Sequence, residues 1–348
     1  MLKTNDFDFN LPANLIAQEP HPNKEETPLL VFKNNQIFDQ KIKNIIDHFE
    51  AGDVIIFNQV KVIKAKLQGT LARSLAKINL NLDQEINDGV WQALCRPAKK
   101  IKEQDKIIFN DDFYGVVIKK NDDGFLHIKF NVSGDQMMKA IEKYGSTPLP
   151  PYIKRTNEQN QNDQKNYQTI FAKEGAGVAA PTAGLHFTEK LISQLENKNI
   201  KILYLTLNIG AGTFLPVRSE NISDHKMHSE KFYLSEKNCE IINQAKKNGK
   251  KIIAVGTTSL RALESSVDDQ GLLTPQNRST DIFIYPPFKF KIVDILITNF
   301  HLPKSTLYML VSAFVGIENA HKIYQHAINN NYRFYSFGDC SLLYNSSL

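Results

Sequence analysis

The sequence predicts an α/β protein in two parts. A large α/β (α+β) domain is formed by both ends of the chain, residues 1–68 and 152–348, and a small all-β, barrel-like domain is inserted at 69–151. Three observations predict it. The second half alternates helix-periodic segments with short apolar runs, the pattern of a largely parallel sheet. From about Gly69 the chain instead carries short strands parted by turn residues, with no long helix among them. Prolines and a polar tract then mark the return from one texture to the other.

Taken in order, "GDVIIFNQVKVIKAKLQG" gives a strand from Val54 to Phe57, a polar turn and a second strand with alternating lysines. "KINLNLD", "VWQALC", "DKIIF", "YGVVIKK" and "FLHIKFN" supply the strands of the insert, with a hairpin signal at Asp123-Gly124. "DQMMKAIEKYG" is its first helix. Pro148, Pro150 and Pro151 stiffen the exit, and the Asn/Gln-rich stretch after Arg155 reads as a solvated linker. Beyond it, helix "TEKLISQLENKN" leads to strand "IKILYLTLNIG" and helix "SEKNCEIINQAKKNG" to strand "KKIIAVG". Strand "VDILITNF" leads to helix "STLYMLVSAFVG".

Composition narrows the class. The net charge of +5 on 348 residues leans only weakly towards anionic partners such as nucleic acid. Cys95, Cys239 and Cys340 are scattered and include no CxxC pair, so a reducing cytoplasm is expected. "MLKTNDFDFNLP" lacks the apolar core of a signal peptide, and "TLYMLVSAFVG" is too short to span a bilayer. The expectation is a soluble cytoplasmic protein with no membrane association, and a monomer.

The chemistry concentrates in loops that join strands to helices. In "IIAVGTTSLRALES", Thr257, Thr258 and Ser259 open a helix that carries Arg261 one turn on. Free N–H groups, hydroxyls and a guanidinium suit a carboxylate or phosphate, and a well-capped helix explains the same residues. Gly210 and Gly212 in "TLNIGAGTFLPV" lack the third glycine of a dinucleotide loop, and Phe214, Leu215 and Pro216 follow in place of a helix. Close approach of a ligand and a plain β-bulge both fit. In "DILITNFHLPKSTLYML", Asn299 ends a strand, His301 is held before Pro303, and Ser305 or Thr306 caps the next helix. In "SDHKMHSEKF", His225 and His228 are spaced to share a helix face with Glu230 close behind, but three ligands at metal spacing are not visible. No metal site is expected. In "GVAAPTAGLHFTEKL", small residues at Ala179, Ala180, Ala183 and Gly184 make room, Thr182 and His186 are polar, and Thr188 caps a helix.

At these residues the chain resembles the S-adenosylmethionine:tRNA ribosyltransferase-isomerases of queuosine biosynthesis, nearly end to end. The resemblance is carried by "VAAPTAGLHFTE", "GAGTFLPVR", "HKMHSE", "IIAVGTTSLRALES", "FIYPPFKFKIVDILITNFHLPKSTLYMLVSAF" and "YRFYSFGDCSLL". It implies an α/β domain interrupted by a small barrel. It also implies that S-adenosylmethionine is a co-substrate, with no metal and no permanently bound cofactor. Its ribosyl group is transferred and isomerised onto 7-aminomethyl-7-deazaguanine at the tRNA wobble position, giving epoxyqueuosine with release of adenine and methionine. That reaction needs proton transfers in the imidazole range, and it points to His186 and His301, supported by His228 and Glu230. It further implies that Arg261 with Thr257, Thr258 and Ser259 holds the methionine carboxylate. Thr182, Gly184, Gly210, Gly212, Asp294 and Asn299 would line the substrate. Lys154, Arg155, Lys289, Lys291 and Arg333, interleaved with Tyr152, Phe288, Phe290 and Tyr332, are candidates for the tRNA face.

The chain departs from the family pattern at Asn208, where a histidine is expected, and at Lys61, Pro28 and Pro287. A lysine at 61 keeps charge but not the bidentate fork of arginine. Two rival readings are a non-catalytic tRNA-binding module on the same fold and an S-adenosylmethionine methyltransferase. The missing glycine-rich loop disfavours the second.

Overall fold

The computed structural model describes residues 2–121, 124–155, 162–214, 217 and 219–346. Asp123 of the hairpin signal, Leu215 and Pro216, and the tract at 156–161 lie outside the described residues.

The chain opens with a hairpin, β1 (Pro28–Lys33) and β2 (Gln36–Lys41), before β3 (Val54–Asn58) enters the centre of the sheet. All five β3 residues are buried, as a strand covered on both faces requires. Short β4 (Val60–Val62) leads into the insert. There β5 (Lys66–Leu71), β6 (Lys77–Asn87), β7 (Val90–Arg96), β8 (Lys106–Asn110), β9 (Phe113–Lys120) and β10 (Phe125–Phe130) close into an antiparallel barrel of order β10-β7-β6-β5-β8-β9. Its interior is a cluster of its own, with Leu67, Ile78, Leu80, Trp91, Ile107 and Ile128 at its heart. Helix α1 (Gly134–Tyr144) adds Met137 and Ile141 to that cluster. Closure leaves the insert no open sheet edge.

The return runs through α2 (Asp163–Asn166), a short helix where the sequence suggested only linker, and β11 (Glu174–Gly177). Strand β11 pairs in parallel with β4, so the outgoing and returning segments are zipped together beside the sheet. The remaining elements are α3 (Glu189–Asn197), β12 (Lys201–Leu207), β13 (Glu230–Leu234), α4 (Glu236–Lys247), β14 (Ile252–Val255), α5 (Thr257–Glu264), β15 (Gln276–Thr280), β16 (Ile295–Asn299), α6 (Thr306–Val315), α7 (Ile317–Asn329) and β17 (Cys340–Tyr344). They complete a nine-stranded sheet of order β15-β13-β12-β3-β14-β16-β17-β1-β2. Strands β12, β3, β14 and β16 are mutually parallel and central; antiparallel pairs flank them. Two core clusters, one on Phe57, Phe187 and Ile297 and one on Leu260, Phe300 and Phe314, contain alternate residues of these strands.

The local signals behave as their chemistry dictates. Thr188 Oγ1 accepts from Leu191 N at 3.2 Å, and Ser305 Oγ accepts from Tyr308 N at 3.2 Å, so each caps the helix behind it. The pairing of His225 and His228 on a helix face is corrected: a single 3₁₀ turn ends at Asp224, and both histidines lie in extended chain before β13. Among the described residues no helix is long and apolar enough to cross a membrane.

Candidate active site

A pocket of about 660 Å³ opens where β14 and β16 end. Side chains and backbone just beyond the carboxyl ends of parallel strands are free of ladder hydrogen bonds, and open α/β sheets place their ligands there. The strand β14 ends at Gly256, whose φ of +88° lets the chain turn directly into α5. Thr257 and Thr258 of that first turn line the pocket. N–H groups of a first turn have no intrahelical acceptor, so this wall is positive in potential and donor-rich. Ala179, Ala180, Pro181, Thr182 and Ala183 form another wall, and the small residues do provide clearance. The third wall is the segment from Thr298 through Leu307.

His301 sits on that wall, 9% exposed. Its Nε2 is 3.3 Å from Thr298 Oγ1 and its Nδ1 3.2 Å from the Tyr324 hydroxyl, so both ring nitrogens are engaged. Burial drives its pKa down to about 3, which makes the imidazole neutral at physiological pH.

His186 is not in the pocket wall. It lies behind it, against a small separate cavity of about 20 Å³ that also touches Lys24 and Arg333. The Asn299 side chain stands between. Asn299 Nδ2 approaches three acceptors, His186 Nε2 at 3.3 Å, Tyr335 O at 3.1 Å and Gly338 O at 3.3 Å, an environment that fixes which end of the amide points inward. Its Oδ1 is buried with no partner among the described residues. His186 Nε2 is thus one of three acceptors competing for the two protons of that amide. Burial first, then the charges of Lys24 and Arg333, lower the pKa of His186 to about 3.

Two aromatic residues close the pocket: Tyr152, which was expected on the tRNA face and instead lines this wall, and Tyr335, which sequence reasoning missed. Tyr152 and Tyr335 stack with centroids 4.3 Å apart, and the Tyr152 hydroxyl is 2.6 Å from Ser336 Oγ. Tyr335 has φ of +74°, a conformation that costs a bulky residue roughly 1–3 kcal/mol and tends to mark functional sites. Nothing in sequence spacing signals that backbone. Asn58 is a second omission. Its side chain pairs with both backbone groups of Leu207 at 2.9 and 3.1 Å and reaches Thr258 Oγ1 at 3.4 Å, tying β3 and β12 to α5.

A second cavity, of about 290 Å³, lies between the barrel and the sheet and shares Thr213 with the first. Gly210 and Gly212 belong to this cavity's wall rather than the main pocket's. A Cβ on Gly210 would come within 2.7 Å of Asp83 Oδ1, and one on Gly212 within 2.4 Å of the His228 ring. The space these glycines free is thus filled by two side chains of the protein. Asp83, from β6, accepts from Ala211 N at 2.5 Å and from Gln92 Nε2 at 3.2 Å. Its pKa is pushed up to about 6, chiefly by burial, with Ala211 N–H and His228 opposing and Glu230 adding to the rise. Asp83 also went unread in the sequence, although a carboxylate inside the strand "KINLNLD" is a signal in itself, since buried charge needs a reason.

Several expected roles are corrected by position. Arg261 is mostly spent inside the protein: its Nη1 bonds Glu230 Oε2 at 2.6 Å, with both side chains about 95% buried, and only Nη2 has no partner among the described residues. Glu230 Oε1 accepts from Gly210 N at 3.1 Å, so the pair ties the loop after β12 to α5. Asp294 is at the opposite end of β16 from Asn299, where it accepts from Ile252 N and pairs with Lys246. Ser259 is fully buried away from the pocket, and Gly184 makes room for Thr169, not for a ligand. Arg155 and Arg333 are held by Asp163 and Asp339. Phe290 packs edge-on against Phe314, and Tyr332 is buried, so neither is a stacking platform. Lys154, Lys289 and Lys291 are exposed. Among the departures, Asn208 accepts from Ala176 N and lines the second cavity, Lys61 is exposed on β4, Pro28 begins β1, and Pro287 follows a cis peptide bond. Among the described residues no group of three His, Cys, Asp or Glu is placed to hold a metal ion.

A mixed sheet whose parallel central strands and a helix N-terminus enclose a pocket at the strand ends, with neutral imidazole and amide groups in and behind its wall, defines an α/β enzyme of the open-sheet kind. The chain belongs to the family described as queuosine biosynthesis protein, whose profile matches residues 4–343. It is 45% identical to the S-adenosylmethionine:tRNA ribosyltransferase-isomerase of Rickettsia bellii (strain OSU 85-389) over 99% of both chains. It is 46% identical to that of Halothermothrix orenii, over 98% of this chain and 100% of the relative. Among solved structures it matches the S-adenosylmethionine tRNA ribosyltransferase of Thermotoga maritima. There the TM-score is 0.54 and the identity 31%, over 97% of this chain and 99% of that one.

Proposed function

We propose that this chain transfers and isomerises the ribosyl group of S-adenosylmethionine onto 7-aminomethyl-7-deazaguanine at the tRNA wobble position, releasing adenine and methionine. The observation that carries the reading is the strand-end pocket itself, in a chain whose full-length relatives bear that enzyme's name. The first turn of α5 takes the methionine carboxylate through N–H groups and the Thr257 and Thr258 hydroxyls, without Arg261. A proton on the ribose carbon next to the sulfonium is acidified by that charge, and His301, in the pocket wall, is the imidazole placed to accept it. His186 acts behind Asn299. S-adenosylmethionine is a co-substrate, and the reading uses no metal.

The reading carries further parts. The chain divides into its two ends and the insert expected at 69–151, whose first barrel strand, β5, starts three residues earlier at Lys66, and it acts as a monomer in the cytoplasm. The tRNA rests on exposed Lys154, Lys289 and Lys291. Incubation with precursor tRNA and S-adenosylmethionine should yield adenine, methionine and a tRNA carrying epoxyqueuosine. S-adenosylhomocysteine would mean methyl transfer, and tRNA binding with no adenine release would leave only a binding module.

A further inference from the structure

The second cavity has a composition unlike the first. Its acids are Asp83, Glu85 and Glu230, and its bases are Lys231 and His228. Glu230 is already answered by Arg261. In a chain of net charge +5, this acidic recess repels phosphate and suits a group rich in N–H donors. Asp83 is 8% exposed and rigidly held, so its orientation is set before any ligand arrives. Trp91 lines the same cavity, 3% exposed, and its indole N–H has no acceptor among the described residues. The wall therefore offers carboxylate acceptors, and one unspent donor lies just beneath its surface, out of reach of solvent. A 2-amino-6-oxopurine edge presents the complement, with two N–H donors beside one carbonyl acceptor. The volume of about 290 Å³ sits at the lower end of small-molecule cavities, suited to a base and not to a nucleotide with its phosphates.

We infer that this cavity is the subsite for the guanine-like base of the acceptor nucleotide, and that the inserted barrel supplies its reader, Asp83, with Trp91 as the donor to the base carbonyl. The inference rests on the reading above. Thr213, common to both cavities, places such a base and its amine beside the co-substrate. The raised pKa of Asp83 fits a carboxylate that waits, poorly solvated, for a donor. Gly210 and Gly212 take on a purpose, since each leaves space for one side chain of this subsite.

Binding of two anticodon stem–loops tests it, one carrying 7-aminomethyl-7-deazaguanine at the wobble position and one carrying adenine there. The wild-type chain should prefer the first at least tenfold. Asp83→Asn keeps the shape and should cut that preference below threefold while S-adenosylmethionine affinity stays within twofold. Trp91→Phe keeps the ring, removes the donor and should lower the preference too; if Asp83→Asn does not fold, this variant decides. An unchanged preference in the variants, no preference in the wild type, or a parallel loss of S-adenosylmethionine binding would overturn the inference. Adenine release by the wild type is scored separately. Preference without release would sink the proposed reaction and leave the base subsite standing, and release with a preference insensitive to Asp83 and Trp91 would do the reverse.

Discussion

His186 and His301 are neutral for the same physical reason, and that has a measurable consequence. Each has a folded pKa of about 3 against an ordinary value near 6.5. The unfolded chain binds protons that the folded chain refuses, so their stabilising contribution is present above pH 6.5 and lost as pH falls towards 3. Each ring should contribute a slope of about 1.4 kcal/mol per pH unit inside that window. Urea denaturation at pH 7, 6 and 5 should therefore find a shallower fall for His186→Gln with His301→Gln than for the parent. An equal slope would mean the rings are solvated. Asp83 works in the opposite sense. Its folded pKa of about 6 lies above the ordinary 3.8, so its contribution is present below pH 3.8 and lost as pH rises through 6. Asp83→Asn should then be at least as stable as the parent at pH 7.5, as expected where a charge is kept for binding at some expense in stability. The two histidines also differ in what they can do to catalysis. His301→Ala removes a group in the pocket wall and should abolish adenine release. His186→Ala should lower kcat less, because Asn299 and not His186 borders the pocket. Equal losses in the two variants would refute that ordering.

Elements show why some of this fold was legible and some was not. The helix α3 announces itself through Thr188 and apolar spacing at Leu191 and Leu195, and β3 and β16 through unbroken buried runs. The spacing of Ala320, Ile323, Tyr324 and Ala327 makes α7 equally legible, although it was not assigned above. By contrast, β15 reads "QNRST" with one buried residue; it exists through backbone pairing to β13 and carries no apolar alternation. The short run of β17 fits a strand or a buried helix turn equally, until its slot between β16 and β1 decides. At the site, the loops with Thr257, Thr258, Asn299 and His301 were readable because chemistry clusters at strand ends. The Glu230–Arg261 pair was not, since residues 31 apart in sequence give no local sign of meeting. That pair starts β13 and anchors α5 at once, while Arg261 Nη2 has no partner at all among the described residues. Glu230→Gln should thus cost roughly 3–5 kcal/mol by stranding a buried guanidinium. Replacing both by apolar residues, Glu230→Leu with Arg261→Met, should cost clearly less in the same denaturation assay. A double variant as unstable as the single one would show that the pair's value lies elsewhere than in mutual compensation.

Across the whole molecule, charge is divided by depth. The second cavity is acidic, Arg155, Arg333 and Arg261 are consumed by internal partners, and the +5 surplus is carried by lysines. Lys289 and Lys291 flank Phe290, whose ring is anchored edge-on against Phe314, so the two ammonium groups are presented from a fixed backbone. Phosphate contacts made by such groups release counterions, which makes tRNA affinity fall with salt in proportion to the number of contacts. A co-substrate held by helix N–H groups and a buried pocket is screened far less. Log affinity for tRNA should therefore drop steeply and linearly with log salt, while S-adenosylmethionine affinity changes little. Lys289→Ala and Lys291→Ala should each lower the tRNA slope by about one unit and weaken matched and mismatched stem–loops alike. A selective loss for the aminomethyl-deazaguanine stem–loop would instead place these lysines at the base, which the acidic character of the second cavity argues against. An unchanged slope would move the tRNA path to another face of the protein.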